Sequence, residues 1–374
     1  MDELGKMINV SLSVRISGLA MTVLLAAGGC QVGTEPRMRQ GSFFGDPMGM
    51  VFPEPTALGK HSYGWTLSEQ SGMLYTCRGG FIDLGHLRES ADRTRFMAKL
   101  LTGMLAENKT QLSYRIIEPS WYRLTLYYPP DWAITPPEQK EKIARDVAIR
   151  LGQYLAHTSV IWHEMLTWYG YASSGFFPER ISSFSWEDPY SDLLGTILGA
   201  EALQDTKQSY DAAMTELIER TLWELDVQPA SAAIAAERKV YGDWYSGEYY
   251  FWVKMKKRSF DVGLDSGFIT PWLVPGICPG ASPKPIAAPD LRFLKEYGFS
   301  AEVKIYPIEF EKVPIYAALK LDSDQGVEPP IHFPLLLAKI RHDAILHFGA
   351  DVDCPDTEAA GKATGLLPRE DGNE

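Results

Sequence analysis

The chain of 374 residues carries 48 acidic and 36 basic side chains, a net charge of −12, and 45% of its residues are hydrophobic. This length and composition are typical of a globular protein with a substantial core, in one large domain or slightly more. No cluster of basic residues occurs along the sequence, which argues against nucleic acid as a partner.

The N-terminal segment has the layout of an export signal. A polar lead over residues 1–15 precedes an apolar run over 16–27, which is shorter than the ~20 residues that span a bilayer. This arrangement is typical of a secretory signal peptide. The sequence AGGC at 27–30 resembles the bacterial lipobox, in which the cysteine is lipidated and becomes the first mature residue. We therefore predict a signal peptide over 1–29 and a lipid anchor at Cys30, with an ordinary signal peptide and a chance cysteine as the alternative.

The segments that flank the body differ from it in composition. Residues 30–55 are rich in glycine, proline and polar side chains and predict a tether, part of which docks on the body through the apolar run FFGDPMGMVFP. In Gram-negative lipoproteins an aspartate after the anchor retains the protein in the inner membrane, so Gln31 predicts the outer membrane, facing the periplasm. Residues 351–374 hold seven acids against two basic residues and predict an acidic, disordered tail.

The body, residues 56–350, is predicted in chain order from periodicity and capping signals. A turn at Gly79-Gly80 and a short apolar strand lead into a helix that Asp83 caps and that ends near residue 107. The further predicted elements are a hairpin over 112–117 and 121–128, a helix over 135–169 capped by Thr135, a helix capped by Ser185 with Asp188 and reaching 203, helices over 210–225 and 231–240, strands over 249–262 and 300–308, and a helix over 334–348. Helices dominate up to about residue 242, so the fold class is α+β, a helix-rich first half packed on a smaller, strand-rich second half.

The densest polar segment, YTCRGGFIDLGHLRESADRT, surrounds the start of the first helix. His86 lies in the first turn, where the positive end of the helix dipole lowers an imidazole pKa and leaves a neutral base or metal ligand. Arg88 and Asp92 are four residues apart and are expected to pair on the helix surface, and Arg78 or Arg88 would hold an anion. As the alternative, a turn, a cap and a surface ion pair explain this segment apart from Cys77 and His86.

A second polar cluster, HTSVIWHEMLTWYGY, ends the long helix. His163 and Glu164 begin a zinc-protease pattern, but Thr167 stands where the second histidine is required. One helix face offers either His157 with Glu164 or His163 with Thr167. A metal such as zinc would need His86 as a further ligand beside His163 and Glu164. The alternative is that these histidines and their aromatic neighbours are ordinary parts of the core.

Three cysteines remain after Cys30, so at most one intramolecular disulfide forms among Cys77, Cys278 and Cys354, and the pairing is left open. If Cys278 pairs with Cys354, the Cys77 thiol is unpaired, and His86 could activate it as a nucleophile. A buried, inert Cys77 is the alternative. Separately, DWYSGEYYFW over 243–252 offers aromatic faces of the kind that bind sugar rings, although its alternation favours a strand with aromatic residues facing the core.

The runs CRGGFIDLGHLRESAD, WHEMLTWYGY and FSWEDPYSDLLGT resemble a family of uncharacterised bacterial envelope lipoproteins, known as a domain of unknown function. The resemblance covers about residues 63–348. It implies an envelope address and a single site region shared by the three segments, and it implies no particular reaction.

We expect, first, a lipid-anchored hydrolase or transferase that acts on envelope material, with His86 as base or ligand and His163 and Glu164 across the cleft. A second hypothesis is a non-catalytic lipoprotein that binds envelope glycan, lipid or a partner protein through the aromatic-rich second half. A third is a hydrolase or acyltransferase that uses Cys77 and His86. Metal content and substitution of His86 or Glu164 distinguish the first hypothesis from the others.

Overall fold

The computed structural model describes residues 36–39, 41–42, 44, 50–116, 118–172, 179–247, 254–322 and 324–355. The predicted signal peptide, the lipidation site Cys30, most of the tether and the tail after residue 355 lie outside these ranges. Phe44, which belongs to the tether, is fully buried between Phe81, Trp186 and Tyr245. Part of the segment predicted to be a tether therefore packs against the body.

Helices and short strands occur in groups along the described residues. In chain order the elements are β1 (Met73–Thr76), β2 (Gly80–Asp83), α1 (Leu84–Ala106), β3 (Gln111–Tyr114), β4 (Trp121–Tyr127), α2 (Pro137–Trp168), α3 (Asp188–Gln204), α4 (Tyr210–Glu224), α5 (Ala230–Val240), β5 (Tyr245–Ser246), β6 (Lys254–Met255), β7 (Phe268–Ile269), β8 (Ile286–Ala287), β9 (Ser300–Tyr306), α6 (Lys312–Leu319) and α7 (Pro329–Phe348). Within the described ranges, no helix combines the length and the apolar character that crossing a bilayer requires.

The largest sheet joins distant parts of the chain. β3 and β4 form an antiparallel hairpin, and β9 pairs with the other edge of β4, so the strand order is β3-β4-β9. Along β4, Tyr122, Leu124 and Leu126 are buried while the residues between them are more exposed, which is the period of two expected for a half-buried strand. These side chains join those of α2 and α7 in the largest hydrophobic core.

Helices α1, α2 and α3 pack against one another and carry the polar side chains of the site. Glycines on α3 let its backbone approach α1. A Cβ on Gly195 would lie 2.1 Å from the Leu87 carbonyl oxygen, and one on Gly199 would lie 2.6 Å from that of Ala91. Because backbone meets backbone, the spacing of α1 and α3 is fixed along the stretch that holds the site.

The α+β prediction is confirmed. Helix α1 with its Asp83 cap, the β3–β4 hairpin, α2, α4, α5 and β9 lie within a few residues of their predicted bounds. Helix α7 begins at Pro329, five residues earlier than expected, because two prolines occupy its first turn. Two predicted caps are wrong, since Thr135 precedes the capping residue Pro136 of α2 and the Ser185 hydroxyl donates to Glu187 instead of capping α3.

The predicted strand over 249–262 is wrong for most of its described part. Only Lys254–Met255 pairs as a strand, β6. Farther along, the Arg258 N–H donates to the Val352 carbonyl and the Ser259 N–H to the Phe184 carbonyl. The backbone groups of this apolar segment are satisfied by separate loops, so no continuous ladder forms.

A disulfide joins Cys77, directly after β1, to Cys278 in the proline-rich loop 271–289, with a Cα–Cα distance of 5.5 Å and a sequence separation of 201. This pairing corrects the third hypothesis, because a Cys77 sulfur held in a disulfide is not available as a thiolate nucleophile. Cys354 is not part of the disulfide.

Candidate active site

The candidate site begins where β2 meets α1. Asp83 caps the helix, because its Oδ1 accepts a 2.6 Å hydrogen bond from the Gly85 N–H. Its Oδ2 accepts a second 2.6 Å bond from the Ser42 N–H and lies 3.5 Å from Nδ1 of His86, one turn farther along. On the other side, His86 Nδ1 is 2.7 Å from Oδ1 of Asp188, the first residue of α3. The imidazole thus lies between two carboxylates.

Asp188 belongs to a group of buried carboxylates that we call the acidic cluster: Asp83, Glu164, Glu187, Asp188 and Asp192, each at most 9% exposed. Asp192 lies one turn after Asp188 and accepts a 2.5 Å bond from the Ser90 hydroxyl of α1. Glu164, on α2, accepts a bond from the Phe184 N–H. Glu187 accepts a 2.6 Å bond from the Ser185 hydroxyl through Oε2, while its buried Oε1 has no hydrogen-bond partner among the described residues.

Electrostatic repulsion in the acidic cluster centres on Asp188. Burial is the largest cause of a raised carboxyl pKa at the other four positions, and the charge of Asp188 raises each pKa further. The pKa is about 6 for Asp83 and Asp192, about 7 for Glu164, and well above the usual range for Glu187. Like charges crowded at low dielectric shift pKa values in this direction.

The protonation of His86 differs from the sequence expectation. Burial by itself lowers the imidazole pKa, but the carboxylates of Asp188 and Asp83 together raise it well above its usual value. The prediction of a lowered pKa from the helix dipole is therefore wrong, because two acids at hydrogen-bonding range act more strongly than the end of the helix. The side chain is 30% exposed, and the backbone of Gly41 lies against its other nitrogen, where a Cβ would come within 2.2 Å of Nε2.

His163 is held by a separate pair of partners. Its Nδ1 lies 2.7 Å from Oε1 of Glu118, a fully buried acid that also lies 3.7 Å from Arg93. Burial raises the pKa of Glu118, but Arg93 and His163 more than offset this and bring it to about 2. Burial lowers the pKa of His163, but its bond to Glu118 raises it to about 9. His163, which is partly exposed, and the buried Glu118 form an ion pair beside Glu164.

Another group of polar side chains, here called the paired cluster, consists of Arg88 and Asp92 on α1 together with Arg39, His61 and Glu69, which pack against them. Arg39 donates to Asp92 at 2.6 Å and to Glu69 at 3.1 Å, and His61 Nε2 lies 3.1 Å from Asp92. Arg88 donates to the carbonyls of Leu58 and Gln70. The expected Arg88–Asp92 pair on the helix surface is wrong, because both side chains are buried and bind other partners.

The remaining sequence-predicted residues lie outside the acidic cluster. Arg78 is exposed on the turn between β1 and β2, and the Thr167 hydroxyl donates to the Glu164 carbonyl of its own helix. His157 is buried, and burial lowers its pKa to about 4 although its ring is bonded to the Val262 carbonyl at 3.2 Å. Trp244, from the aromatic segment suggested for sugar binding, is 2% exposed and belongs to the core.

The structure brings only part of the predicted metal site together. Asp188 bonds His86 and is coupled electrostatically to Glu164, which in turn interacts with His163. However, His86, His163 and Glu164 do not converge as ligands. Among the described residues, the set whose donor atoms all lie within 4.8 Å of one another is Asp83, His86 and Asp188. Spacing could have indicated Asp188, because Asp188 and Asp192 are four apart on one helix face within a motif already singled out.

Comparisons with known proteins identify a family and no activity. Residues 55–264, more than half of the sequence, match the model of a family described as "Protein of unknown function (DUF4056)". The matched region contains α1, α2 and α3 and every residue of the acidic cluster. No curated protein and no solved structure matches the chain significantly. On the strength of this match, the chain belongs to the DUF4056 family.

Proposed function

We propose that the protein is a lipid-anchored enzyme of the bacterial cell envelope, a hydrolase or transferase that acts on envelope material, with the acidic cluster as its catalytic centre. The observation that carries this proposal is the crowding of four buried carboxyl groups around Asp188, with His86 bonded to Asp188. Burying like charges together costs stability, and proteins concentrate such perturbed groups at functional sites.

The two groups expected from the sequence take distinct roles in this proposal. Glu164, whose pKa is raised to about 7, exchanges a proton at neutral pH and acts as general acid and base. His86 lies between Asp83 and Asp188 and is partly open to solvent. In this proposal, its imidazole binds the substrate or cofactor atom at which the reaction takes place. His163 supports Glu164 through its charge while remaining paired with Glu118.

Two observations support the proposed compartment. The Cys77–Cys278 disulfide is typical of proteins that fold in an oxidising environment such as the periplasm. The lipobox-like sequence before Cys30 provides a lipid anchor, and two acyl chains hold a protein on a membrane where one chain does so only marginally. Gln31 directs the anchored protein to the outer membrane.

Substitution of Glu164 tests the enzymatic part of the proposal. The purified protein is offered chromogenic esters, phosphate esters and glycosides, together with isolated envelope lipid and peptidoglycan. We expect turnover of one class and a loss of at least ~100-fold in the Glu164→Gln variant, because proton transfer by a positioned group contributes 10²–10⁴-fold. A loss of similar size is expected in His86→Ala, because the reacting group is then no longer held in position. The matched control is Glu219→Gln, an exposed acid on α4. A folded Glu164→Gln variant with wild-type turnover would contradict the proposal.

The anchor is tested separately. Wild-type protein is expected to incorporate labelled palmitate and to fractionate with the outer membrane, whereas Cys30→Ser is expected to do neither. Release of both forms into the periplasm would rule out the lipid anchor and leave the enzymatic proposal untouched.

A further inference from the structure

We infer that Asp83, His86 and Asp188 bind a divalent transition-metal ion, such as Zn²⁺ or Mn²⁺. This inference names the cofactor of the proposed centre and rests on the acidic cluster being that centre. Metal binding is nevertheless measured without any reaction, so the two proposals can fail independently.

The first argument is the distance between donor atoms. Nδ1 of His86 lies 2.7 Å from Oδ1 of Asp188 and 3.5 Å from Oδ2 of Asp83, and the three donors all lie within 4.8 Å of one another. Ligands of a tetrahedral zinc ion at ~2.0–2.2 Å are roughly 3.4 Å apart. Small side-chain rotations therefore bring all three donors into a coordination sphere.

The second argument is that the donors are carried by rigid elements. Asp83 ends β2, His86 lies in the first turn of α1, and Asp188 begins α3. The glycine contacts between α1 and α3 fix their spacing, and the bonds from Gly85 and Ser42 orient the Asp83 carboxylate. Donors held in place before the ion arrives lower the entropic cost of binding it.

A third, independent observation concerns Glu187. Its side chain is 2% exposed, and Oε1 has no hydrogen-bond partner among the described residues. Glu187 directly precedes Asp188 in the chain, and its other oxygen accepts a 2.6 Å bond from the Ser185 hydroxyl. A buried polar atom without a partner lowers stability, and we expect water bound to a cation between Asp83 and Asp188 to be the partner of this oxygen.

The chemistry of the donors selects the class of ion. One imidazole and two carboxylates form a mixed nitrogen and oxygen set, which suits Zn²⁺, Mn²⁺ or Fe²⁺ better than Ca²⁺ or Mg²⁺, which prefer oxygen ligands alone. Binding requires the Nδ1 proton of His86 to leave for solvent, since that nitrogen then donates its lone pair to the metal. The bound charge also offsets the repulsion among the carboxylates around Asp188.

Isothermal titration with Zn²⁺ alone, and then with Mn²⁺ alone, tests the inference on the protein after treatment with a chelator. We expect one site per chain, weakened at least ~10-fold by His86→Ala and by Asp188→Asn. His342→Ala, which removes an exposed histidine of α7, is the matched control and is expected to bind as the wild type does. Wild-type affinity in the folded His86→Ala and Asp188→Asn variants would overturn the inference.

X-ray absorption at the zinc edge of the wild-type protein keeps the inference testable if the variants do not fold. One imidazole and the remaining light-atom ligands are expected, and a spectrum without imidazole would overturn the assignment. Metal binding without turnover of any substrate would leave this inference standing and refute the proposed function. Turnover that depends on Glu164 in metal-free protein would refute this inference and leave the proposed function standing.

Discussion

Two groups of buried polar side chains lie against helix α1, and they differ in how their charges are balanced. In the paired cluster, Arg39 and His61 between them contact both oxygens of Asp92, and each oxygen of Glu69 accepts a bond from Arg39. In the acidic cluster, Asp188 is bonded to His86 but raises the pKa of four neighbouring carboxyl groups.

Burial alone does not distinguish a structural ion network from a functional centre, because both clusters are buried. The balance of charges within each cluster does distinguish them. A network in which every carboxylate has a cationic partner is explained by folding, since each desolvated charge is compensated locally. A group of acids that repel one another weakens the fold, and its presence is explained by something that the fold does not itself require.

The described part of the tether connects the two clusters. Arg39 inserts into the paired cluster, and the Ser42 N–H bonds Asp83 in the acidic cluster. Between them, Gly41 lies against His86. The segment that leads towards the predicted membrane anchor thus also forms one wall of the candidate site.

The largest effect is expected in the paired cluster. Asp92→Ala should lower the free energy of unfolding by about 3–5 kcal/mol, because it leaves the buried Arg39 guanidinium with Glu69 as its remaining carboxylate and the buried His61 ring without Asp92. Urea denaturation measures the change. Asp343→Ala, which removes one partner of a surface pair with Lys339, is the control and should cost no more than about 1 kcal/mol. Equal losses in the two variants would mean that the paired cluster is not structural.

The pH dependence of stability tests whether the Glu118–His163 pair, which lies beside Glu164, stabilises the fold as the paired cluster does. The folded pKa of Glu118 is about 2 against an ordinary 4.5, so its contribution is present above pH 4.5 and is lost as pH falls towards 2. The folded pKa of His163 is about 9 against an ordinary 6.5, so its contribution is present below pH 6.5 and is lost as pH rises towards 9. Stability measured by denaturation should therefore be highest between these windows.

Glu118→Gln should remove both dependences and cost about 2–3 kcal/mol near pH 5.5. The exposed pair partner Glu296 serves as control, because Glu296→Gln should leave the pH profile unchanged. If Glu118→Gln keeps both flanks of the wild-type profile, the pair does not stabilise the fold and belongs with the acidic cluster instead.

Gly41→Ala tests the contact between the tether and His86. The added Cβ would lie 2.2 Å from Nε2, so the segment must shift, and we expect a loss of about 1–2 kcal/mol with faster modification of His86 by diethyl pyrocarbonate. Gly103→Ala on α1 is the matched control, because nothing lies within 4 Å of its Cβ position. That variant should gain about 0.5–1 kcal/mol. Unchanged His86 reactivity in Gly41→Ala would show that the segment does not cover the imidazole.

Local sequence signals predicted the fold class and most helices. The Asp83 cap and the apolar period of α1 are properties of neighbouring residues, so they could be identified without knowing the fold. The strand expected over 249–262 failed because Arg258 and Ser259 bond distant loops, and a β-rich composition does not reveal such partners.

The candidate site was only partly predictable for the same reason. His86 and Glu164 were identified by residue type and position on their helices. The partners of His86 depend on the glycine contacts that place α3 against α1, so Asp188 was missed as a partner of His86 and the direction of the His86 pKa was wrong. Likewise, Glu118 follows β3 and reaches His163 only through tertiary packing.

The smallest expected effect is an increase in stability, whereas Asp92→Ala in the paired cluster is expected to lower it. Asp192→Asn removes one of the repelling charges and keeps an oxygen that accepts the Ser90 hydroxyl, so it should stabilise the chelator-treated protein by about 1 kcal/mol at pH 8. Because the pKa of Asp192 is raised to about 6 from 3.8, its ionisation opposes folding as pH rises through this interval, and the gain should vanish below about pH 4. Thermal unfolding at both pH values measures it, with exposed Asp243→Asn as the control. A loss of stability at pH 8 would mean that the carboxylate of Asp192 is compensated in the folded protein, and the contrast between the two clusters would no longer identify the active centre.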